Sequence, residues 1–249
     1  MQINIDNFKS LLKKSTLNYT IDAIIFTAWK DRIQSKMINS SRDAISIIDM
    51  ENNLFTDFPN EEVEFVFSEP NQFIVPYLST FESENVSCSL KDRKLLLNDG
   101  SQKVNLFFDY KKALSHLAFD FNKANFGDDI VTTINIGDTF QHYFQKVKKI
   151  GNMFGKIYFG CEENNFYVET TDKTSSVANG LRFNMQEMDF QNFYICIPFQ
   201  NFSNLMNILD GDLTQYTMSI TYIDSKKLGI VYVCNQDESE RYFLFSIKE

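Results

Sequence analysis

The same order of predicted elements occurs twice along this chain, and that repeat constrains the fold more than any other feature. Each copy contains a short strand, a helix, several strands, a second helix and three closing strands. The first copy begins with a strand at Gln2–Ile5 and the second with one at Thr133–Ile136. One-sided helices that alternate with short strands favour helices packed on one face of antiparallel sheets. We therefore predict an α+β fold of two similar domains, each with two helices on one face of its sheet.

The four helices are predicted from apolar residues that recur at intervals of three and four positions. In the first copy, one helix follows a cap at Asp6 or Asn7 and the other begins at Pro70. In the second copy, one helix is capped by Asp138 and the other begins at Pro198. The apolar rows should be buried, and they comprise Phe8, Leu11 and Leu12; Phe73, Ile74, Tyr77, Leu78 and Phe81; Phe140, Tyr143, Phe144 and Val147; and Phe199, Phe202, Leu205, Met206 and Leu209.

The length of 249 residues accommodates two halves of roughly 125 residues each. We place the N-terminal domain at residues 1–115 and the C-terminal domain at residues 132–249. Between them, residues 116–131 mix apolar and charged side chains without a sustained helix or strand period. We therefore predict that this stretch is an interdomain connector.

Cysteine and histidine usage indicates no metal site, no cofactor and no nucleophilic centre. The two histidines form no cluster, and the cysteines are too far apart for a CxxC pair: Cys88, Cys161, Cys196 and Cys234. We expect separate buried thiols in a reducing compartment. No signal peptide is visible and no apolar run approaches the length of a membrane span, so we expect a cytoplasmic protein without a membrane partner.

The two-copy plan and two local stretches resemble the DNA sliding clamps, the polymerase processivity factors that include the proliferating-cell nuclear antigen (PCNA) and T4-like phage clamps. Residues Ile33–Met50 resemble the clamp stretch in which a strand ends in Met, passes through a Ser-Ser loop and re-enters a strand. Residues Leu228–Glu249 resemble the terminal clamp hairpin. The resemblance implies a homotrimeric ring with helices around a central hole and sheets outside.

The resemblance also implies a function and partners. Such a ring encircles double-stranded DNA without sequence specificity and tethers the replicative DNA polymerase to raise processivity. It needs a clamp loader as a partner, but it needs no cofactor and is not an enzyme. The Asn, Ile and Lys usage suits an AT-rich genome such as a phage's, which would place the protein in the host cytoplasm.

A ring around DNA demands neutral or basic helices in a chain whose net charge is −9. An even spread of that charge would argue against nucleic-acid binding. Lysine ammonium groups attract phosphates without reading bases, as a sliding protein requires. The first helix of each copy supplies three lysines away from its apolar row, and the predicted DNA-binding residues are Lys9, Lys13, Lys14, Lys146, Lys148 and Lys149.

Two further sites follow from the resemblance. Partner peptides would dock an apolar motif beside the connector, at Met37, Ile38, Ala44, Leu117, Phe119, Phe121, Phe243 and Phe245. Subunits would join through edge strands, with Val104–Tyr110 of one subunit beside Ala178–Met185 of the next. The residues expected at this joint are Val104, Phe107, Leu181 and Phe183.

Three alternatives remain open on the sequence. A monomeric, herpesvirus-like processivity subunit would have the same fold but a more basic helix face. A β-rich viral structural or adaptor protein is a second alternative, although it leaves the lysine helices unexplained. An enzyme is the third, and acidic residues with metal-binding potential are Asp109, Asp120, Asp128 and Asp129, but they show no recognised metal-site spacing.

Overall fold

The structure is a computed structural model that describes residues 1–112, 114, 130–173, 180–209 and 213–247. The chain divides into two compact units. Unit 1 comprises Met1–Ser41 and Ile45–Phe119, and unit 2 comprises Arg42–Ala44 and Asp120–Glu249. No helix among these described residues is long and apolar enough to cross a membrane.

The first half of the chain contains nine strands and three short helices within residues 1–112. In order they are β1 (Gln2–Asn4), α1 (Ile5–Ser15), β2 (Ala23–Ala28), β3 (Arg32–Ile38), β4 (Ala44–Glu51), β5 (Phe55–Thr56), β6 (Val63–Ser68), α2 (Pro70–Phe73), α3 (Val75–Leu78), β7 (Asn85–Lys91), β8 (Lys94–Asn98) and β9 (Lys103–Phe107).

The second half contains eight strands and two α-helices within its described residues. They are β10 (Ile130–Asn135), α4 (Asp138–Phe154), β11 (Lys156–Glu162), β12 (Asn165–Thr170), β13 (Leu181–Glu187), β14 (Phe193–Pro198), α5 (Phe199–Met206), β15 (Tyr216–Ile223), β16 (Leu228–Asn235) and β17 (Glu240–Phe245). Single 3-10 turns at Leu213–Gln215 and Asp224–Lys226 flank β15.

The two halves share one topology, as the repeated element order predicts. The first has neighbouring strands in the orders β1-β7-β8-β9 and β4-β3-β2-β6, and the second has β10-β15-β16-β17 and β13-β12-β11-β14. Each strand in one series corresponds to the strand at the same place in the other, and the recorded pairings are antiparallel. The short β5, which pairs with β1, is an addition to the first half. The α+β prediction is therefore confirmed.

The core of unit 1 is built on phenylalanine. Phe8 of α1 lies edge-on to Phe26 of β2 at a centroid distance of 6.2 Å, and Phe26 stacks on Phe65 of β6 at 4.6 Å. All three side chains are fully buried. Asn4 caps α1 by accepting the N–H of Asn7 at 2.9 Å, so the helix begins before the predicted caps at Asp6 or Asn7. This shift is a boundary difference that leaves the predicted apolar row buried.

The core of unit 2 lies between the helices and strands β11, β12 and β14. Phe202 of α5 contacts Phe144 of α4 at 5.7 Å and Phe159 of β11 at 5.3 Å, edge to face in both cases. Gly137 precedes α4 as its N-cap, and Gly155 ends the helix in the left-handed conformation at φ 68°. That conformation favours glycine because it carries no Cβ.

The predicted second helix of the first copy is wrong in two respects. It is divided into α2 and α3 at Ile74, whose φ of −123° is not helical. Pro76 lies inside the predicted helix, where it cannot donate a backbone hydrogen bond and its ring crowds the preceding turn. The break rotates two members of the predicted apolar row outward, because Phe73 and Tyr77 are 55% and 54% exposed.

Candidate nucleic-acid interface

Helix α1 presents its lysines on the side away from the core. Its buried residues include Phe8, Leu11 and Leu12, whereas Lys9, Lys13 and Lys14 are half-exposed. The Lys9 Nζ lies 3.5 Å from an Asp6 carboxylate oxygen, a surface ion pair. Lys13 and Lys14 stand in the last turn, where the helix dipole favours positive charge.

Helix α4 presents two of its three lysines to solvent. Lys146 and Lys149 are exposed, and His142 lies one turn before Lys146 on the same side. Lys148 is half-buried, and its Nζ donates to the Asn207 side-chain oxygen at 3.2 Å. Lys148 therefore has a partner at the end of α5, while Lys146 and Lys149 extend the positive face of α4.

The positive charge of the helices contrasts with the rest of the chain. Helices α1 to α5 of the described structure contain six lysines and two aspartates, which gives a net charge of +4 with histidine neutral. Since the whole chain carries −9, the remainder carries −13. The six lysines are divided equally between the first helix of each half, with three in α1 and three in α4. The acidic surplus therefore lies outside the helices.

The second helices contribute no charged residue. Asn201, Ser203 and Asn204 of α5 are buried, although polar side chains of these types are mostly exposed in proteins. The Asn201 side chain donates to the Asp43 carboxylate at 2.9 Å, which explains how α5 buries polar groups on this side. Helices α2 and α3 expose the aromatic residues Phe73 and Tyr77 instead of charged side chains. Pro76 is the sequence signal that indicates this, because it interrupts the predicted helix.

The predicted joint residues lie on edge strands. Strand β9 is the last strand of β5-β1-β7-β8-β9, and β13 is the first of β13-β12-β11-β14. Phe107 on β9 is 67% exposed and Val104 is half-buried. Leu181 and Phe183 on β13 are half-buried, and Phe183 stacks on Tyr143 of α4 at 4.8 Å. Both strands thus offer apolar side chains next to an edge that pairs with no strand among the described residues.

Five of the eight residues of the predicted partner pocket lie within the described part of the chain. Met37, Ile38, Ala44 and Phe243 are buried, whereas Phe245 is half-exposed. The Phe245 N–H donates to the carbonyl oxygen of Asp43, so Phe245 and Ala44 lie close together. The remaining members, Leu117, Phe119 and Phe121, lie outside the described residues, and the pocket stays a prediction.

The acidic residues considered for catalysis do not assemble in the described part of the chain. Asp109 accepts the backbone N–H of Ser68 at 2.6 Å, a structural role at the end of β6. Asp120, Asp128 and Asp129 lie outside the described residues. Within those residues, no three His, Cys, Asp or Glu side chains are grouped to hold a metal ion.

Solved structures match this fold along the whole chain. The DNA polymerase III beta subunit of Eubacterium rectale matches 100% of this chain and 65% of its own length, with a TM-score of 0.70 and 9% identity. A DNA polymerase sliding clamp from Bacillus subtilis matches with a TM-score of 0.67 and 8% identity. This chain has the sliding-clamp fold. The predicted resemblance to sliding clamps is thereby confirmed at the level of the fold.

Sliding clamps of two lengths share this fold. The chain covers 65% and 64% of the Eubacterium rectale and Bacillus subtilis proteins, about two-thirds of each. It covers 98% of the A. fulgidus PCNA, solved with the C-terminal region of FEN-1 bound, at a TM-score of 0.66 and 12% identity. No protein-family model matches the sequence, and no curated protein matches it.

Proposed function

We propose that this chain is the subunit of a closed ring that encircles duplex DNA and tethers a replicative DNA polymerase. One observation carries the proposal: all six lysines found in helices lie on α1 and α4, the helices at equivalent places in the repeat, although the chain as a whole is acidic. Such helices attract phosphate backbones of any sequence. The proposed role involves no catalytic step.

Weak contacts suffice for this role because topology, rather than affinity, retains a closed ring on DNA. An ammonium group on a long, flexible stem contacts phosphates without fixing the position along the duplex. The acidic remainder of the chain limits non-specific binding elsewhere on the protein. The distribution of charge thus supports sliding better than it supports tight binding.

The edges of the sheets support a head-to-tail assembly. In the proposed trimer, β9 of one subunit pairs with β13 of the next, since each offers an unpaired strand edge. Val104 lies on the same face of β9 as the buried Leu106 and would then share the helix side of the joint with Leu181 and Phe183 of the neighbour, while Phe107 would lie on the opposite side. Two different edges on each subunit give a heterologous contact, and such contacts close into rings when the rotation permits.

Partners follow from the same proposal. The polymerase and a clamp loader would dock through short apolar peptides, in the way that a C-terminal region of FEN-1 is bound to the A. fulgidus PCNA. The predicted pocket residues Met37, Ile38, Ala44, Leu117, Phe119, Phe121, Phe243 and Phe245 remain the proposed docking positions. Their test is a pull-down of the replicative polymerase with a Phe245→Asp variant.

The decisive experiment measures binding to a random-sequence duplex of about 30 base pairs at low and physiological salt. We expect sequence-independent binding that weakens as salt rises. The double variant Lys146→Glu and Lys149→Glu should weaken binding at least about tenfold at low salt, because two attractive contacts become repulsive. Both side chains are exposed, so thermal stability should change little.

A matched control reverses two exposed lysines outside the helices, Lys30 and Lys91. Its total charge change is the same as that of the helix variant. We expect an affinity within about twofold of the wild type, since only local charge near phosphates should matter. Equal losses in the two double variants would contradict the proposed DNA surface.

The mass in solution separates the ring from the monomeric alternative. One chain has a mass of 29.1 kDa, and a trimer has three times that value. Light scattering should give the trimer mass, and particle images should show a central hole. A monomer that binds DNA tightly would instead favour the herpesvirus-like subunit, and a protein with neither property would favour the structural alternative.

A further inference from the structure

Unit 2 contains an open groove of about 1060 Å³ that the proposed function does not use. Its wall includes one face of the β12-β11-β14 strands. Phe159 of β11 contacts α5, so its neighbour Tyr158 points to the opposite face of the sheet. Tyr167 of β12 and Tyr194 of β14 lie opposite Gly160 of β11 and share that face. Three tyrosines therefore converge away from the helices.

Gly160 allows this convergence. A Cβ added there would lie 2.6 Å from the Tyr167 hydroxyl oxygen and the Phe193 carbonyl oxygen. The Tyr167 side chain therefore crosses β11 where any larger residue would exclude it. Burial raises the pKa of Tyr167 to about 12, so its ring stays neutral. The packing of Tyr167 against Gly160 therefore holds the tyrosine ring in a defined position on this face of the sheet.

The wall already holds an ammonium group. The Lys173 Nζ lies 4.2 Å from the ring centroid of Tyr194, 4.6 Å from that of Tyr158 and 5.8 Å from that of Tyr167. These distances are within the range of cation–π attraction. A carboxylate oxygen of Glu169 lies 3.7 Å from the same nitrogen. Three ring faces and one carboxylate thus surround a single positive charge.

A second cation on this face is held more firmly. The Arg182 guanidinium lies 3.6 Å above the Tyr167 ring and pairs with Glu162 at 2.6 Å. Arg182 is fixed in β13, opposite Glu169 of β12. Lys173, by contrast, follows the end of β12 and carries its charge on a flexible four-carbon stem. We call the position of the Lys173 ammonium group among the three rings the ammonium seat. Its occupant can be replaced more easily than the Arg182 guanidinium.

The seat opens to solvent through Tyr194, whose exposure is 49%. Lys226 and Lys227 also line the groove, on the turn that precedes β16. The groove volume lies just above the usual range for ligand pockets and suits a peptide segment better than a lone ion. A ligand could therefore reach the cage with the rest of its chain along the groove.

We propose that this tyrosine cage binds a lysine side chain of a partner peptide, and that Lys173 occupies the seat until the peptide displaces it. Glu169 supplies the countercharge for either ammonium group. Because the Lys173 ammonium group already lies among these rings and beside Glu169, the ammonium group of a ligand lysine would make the same contacts. The inference goes beyond the proposed DNA role and does not depend on it.

The first test compares two capped pentapeptides, Gly-Gly-Lys-Gly-Gly and its norleucine counterpart, by NMR titration of the full-length protein. The variant Lys173→Gln empties the seat, and we expect it to bind the lysine peptide about tenfold more tightly than the wild type does. Adding Tyr194→Ala to Lys173→Gln should abolish the gain. The control Lys226→Gln removes the same charge from the groove but leaves the seat occupied, so it should show no gain.

Equal affinity of Lys173→Gln for the lysine and norleucine peptides would overturn the proposal, as would an equal gain in Lys226→Gln. A second test uses the wild-type protein and does not depend on the folding of a variant. Reductive methylation followed by mass spectrometry should modify Lys173 more slowly than Lys226. Excess lysine peptide should accelerate the modification of Lys173, and a rate that is unaffected by the peptide would refute displacement.

Discussion

Gly151 of α4 lies directly against the ring of Phe199, the first residue of α5. A Cβ added to Gly151 would lie 2.2 Å from the Cε2 atom of that ring, well inside van der Waals contact. Phe199 is 1% exposed and stacks on Phe144 at 6.4 Å, so its ring has no room to move aside. The close approach of the two helices therefore depends on this glycine.

We predict that Gly151→Ala destabilises the protein. Alanine favours a helix over glycine by about 1 kcal/mol, but the clash with Phe199 should outweigh that gain and leave a net loss of about 1–3 kcal/mol. Urea unfolding measures the difference. Gly137→Ser is the control, because a Cβ at Gly137 meets nothing within 4 Å and serine is a good N-cap. A stabilised Gly151→Ala protein would contradict the close helix contact.

We predict that Phe107→Asp dissociates the proposed trimer into 29.1 kDa subunits. The side chain is 67% exposed on an edge strand, so the folded subunit should survive the change, while a buried charge at the joint should not be tolerated. Light scattering gives the mass. Tyr194→Asp makes a similar change at an exposed aromatic residue away from β9 and β13, and it should leave the trimer intact. A trimer that persists in Phe107→Asp would exclude this joint.

We predict energetic coupling between Asn201 and Asp43. The Asn201 amide donates to the Asp43 carboxylate at 2.9 Å and is 7% exposed, so removal of one partner leaves a buried polar group unsatisfied. Asp43→Ala should cost about 1–3 kcal/mol. A double-mutant cycle with Asn201→Ala should show coupling of at least about 0.5 kcal/mol. Additive losses would mean that the hydrogen bond contributes nothing, and the exposed Gln200→Ala serves as the near-neutral control.

We predict that Cys88 is unreactive in the folded protein. Burial raises the pKa of its thiol to about 12, and the nearby N-terminus opposes this only in part. Since the thiolate is the nucleophile, alkylation at pH 8.5 should be more than tenfold slower in the native protein than in urea. Peptide mass spectrometry identifies the modified residue. Equal rates in the two states would show that Cys88 is accessible and ionised.

The same shift gives a pH dependence with a defined sign. The folded pKa of Cys88 lies above the unfolded value of about 8.5. The fold therefore favours the protonated thiol, whose stabilising contribution is complete below about pH 8.5 and is lost as pH rises toward 12. Relative to Cys88→Ala, the wild type should lose free energy of unfolding between pH 8.5 and pH 10.5.

The fold could be predicted from the sequence because its signals are local and occur twice. The apolar row of Phe8, Leu11 and Leu12 is buried as expected, and so are Phe140 and Phe144. Where the apolar spacing did not indicate the outcome, a single residue or a distant partner decided it. Pro76 broke a helix whose spacing was otherwise regular, and Asp43 allowed Asn201 to be buried in α5.

The candidate site could be predicted less completely. The lysines of α1 and α4 were identified from helical spacing, because residues opposite an apolar row face away from the core. The tyrosine cage could not be identified from the sequence, because Tyr158, Tyr167 and Tyr194 come from three strands and meet only through sheet pairing. Gly160 was the one local signal, as an isolated glycine in a strand indicates the close approach of another group.

Strand β13 has no buried residue along its whole length. Strand β13 is held in place by hydrogen-bonded pairing with β12, by the stacking of Phe183 on Tyr143 and by the cation–π contact of Arg182 with the Tyr167 ring. A strand with so little burial opens at small free-energy cost, and its amide protons exchange early. In a solitary subunit β13 is therefore poorly protected, and in the proposed ring the neighbouring subunit would cover it. Dilution should thus dissociate the proposed ring and loosen this strand in a single concentration-dependent transition.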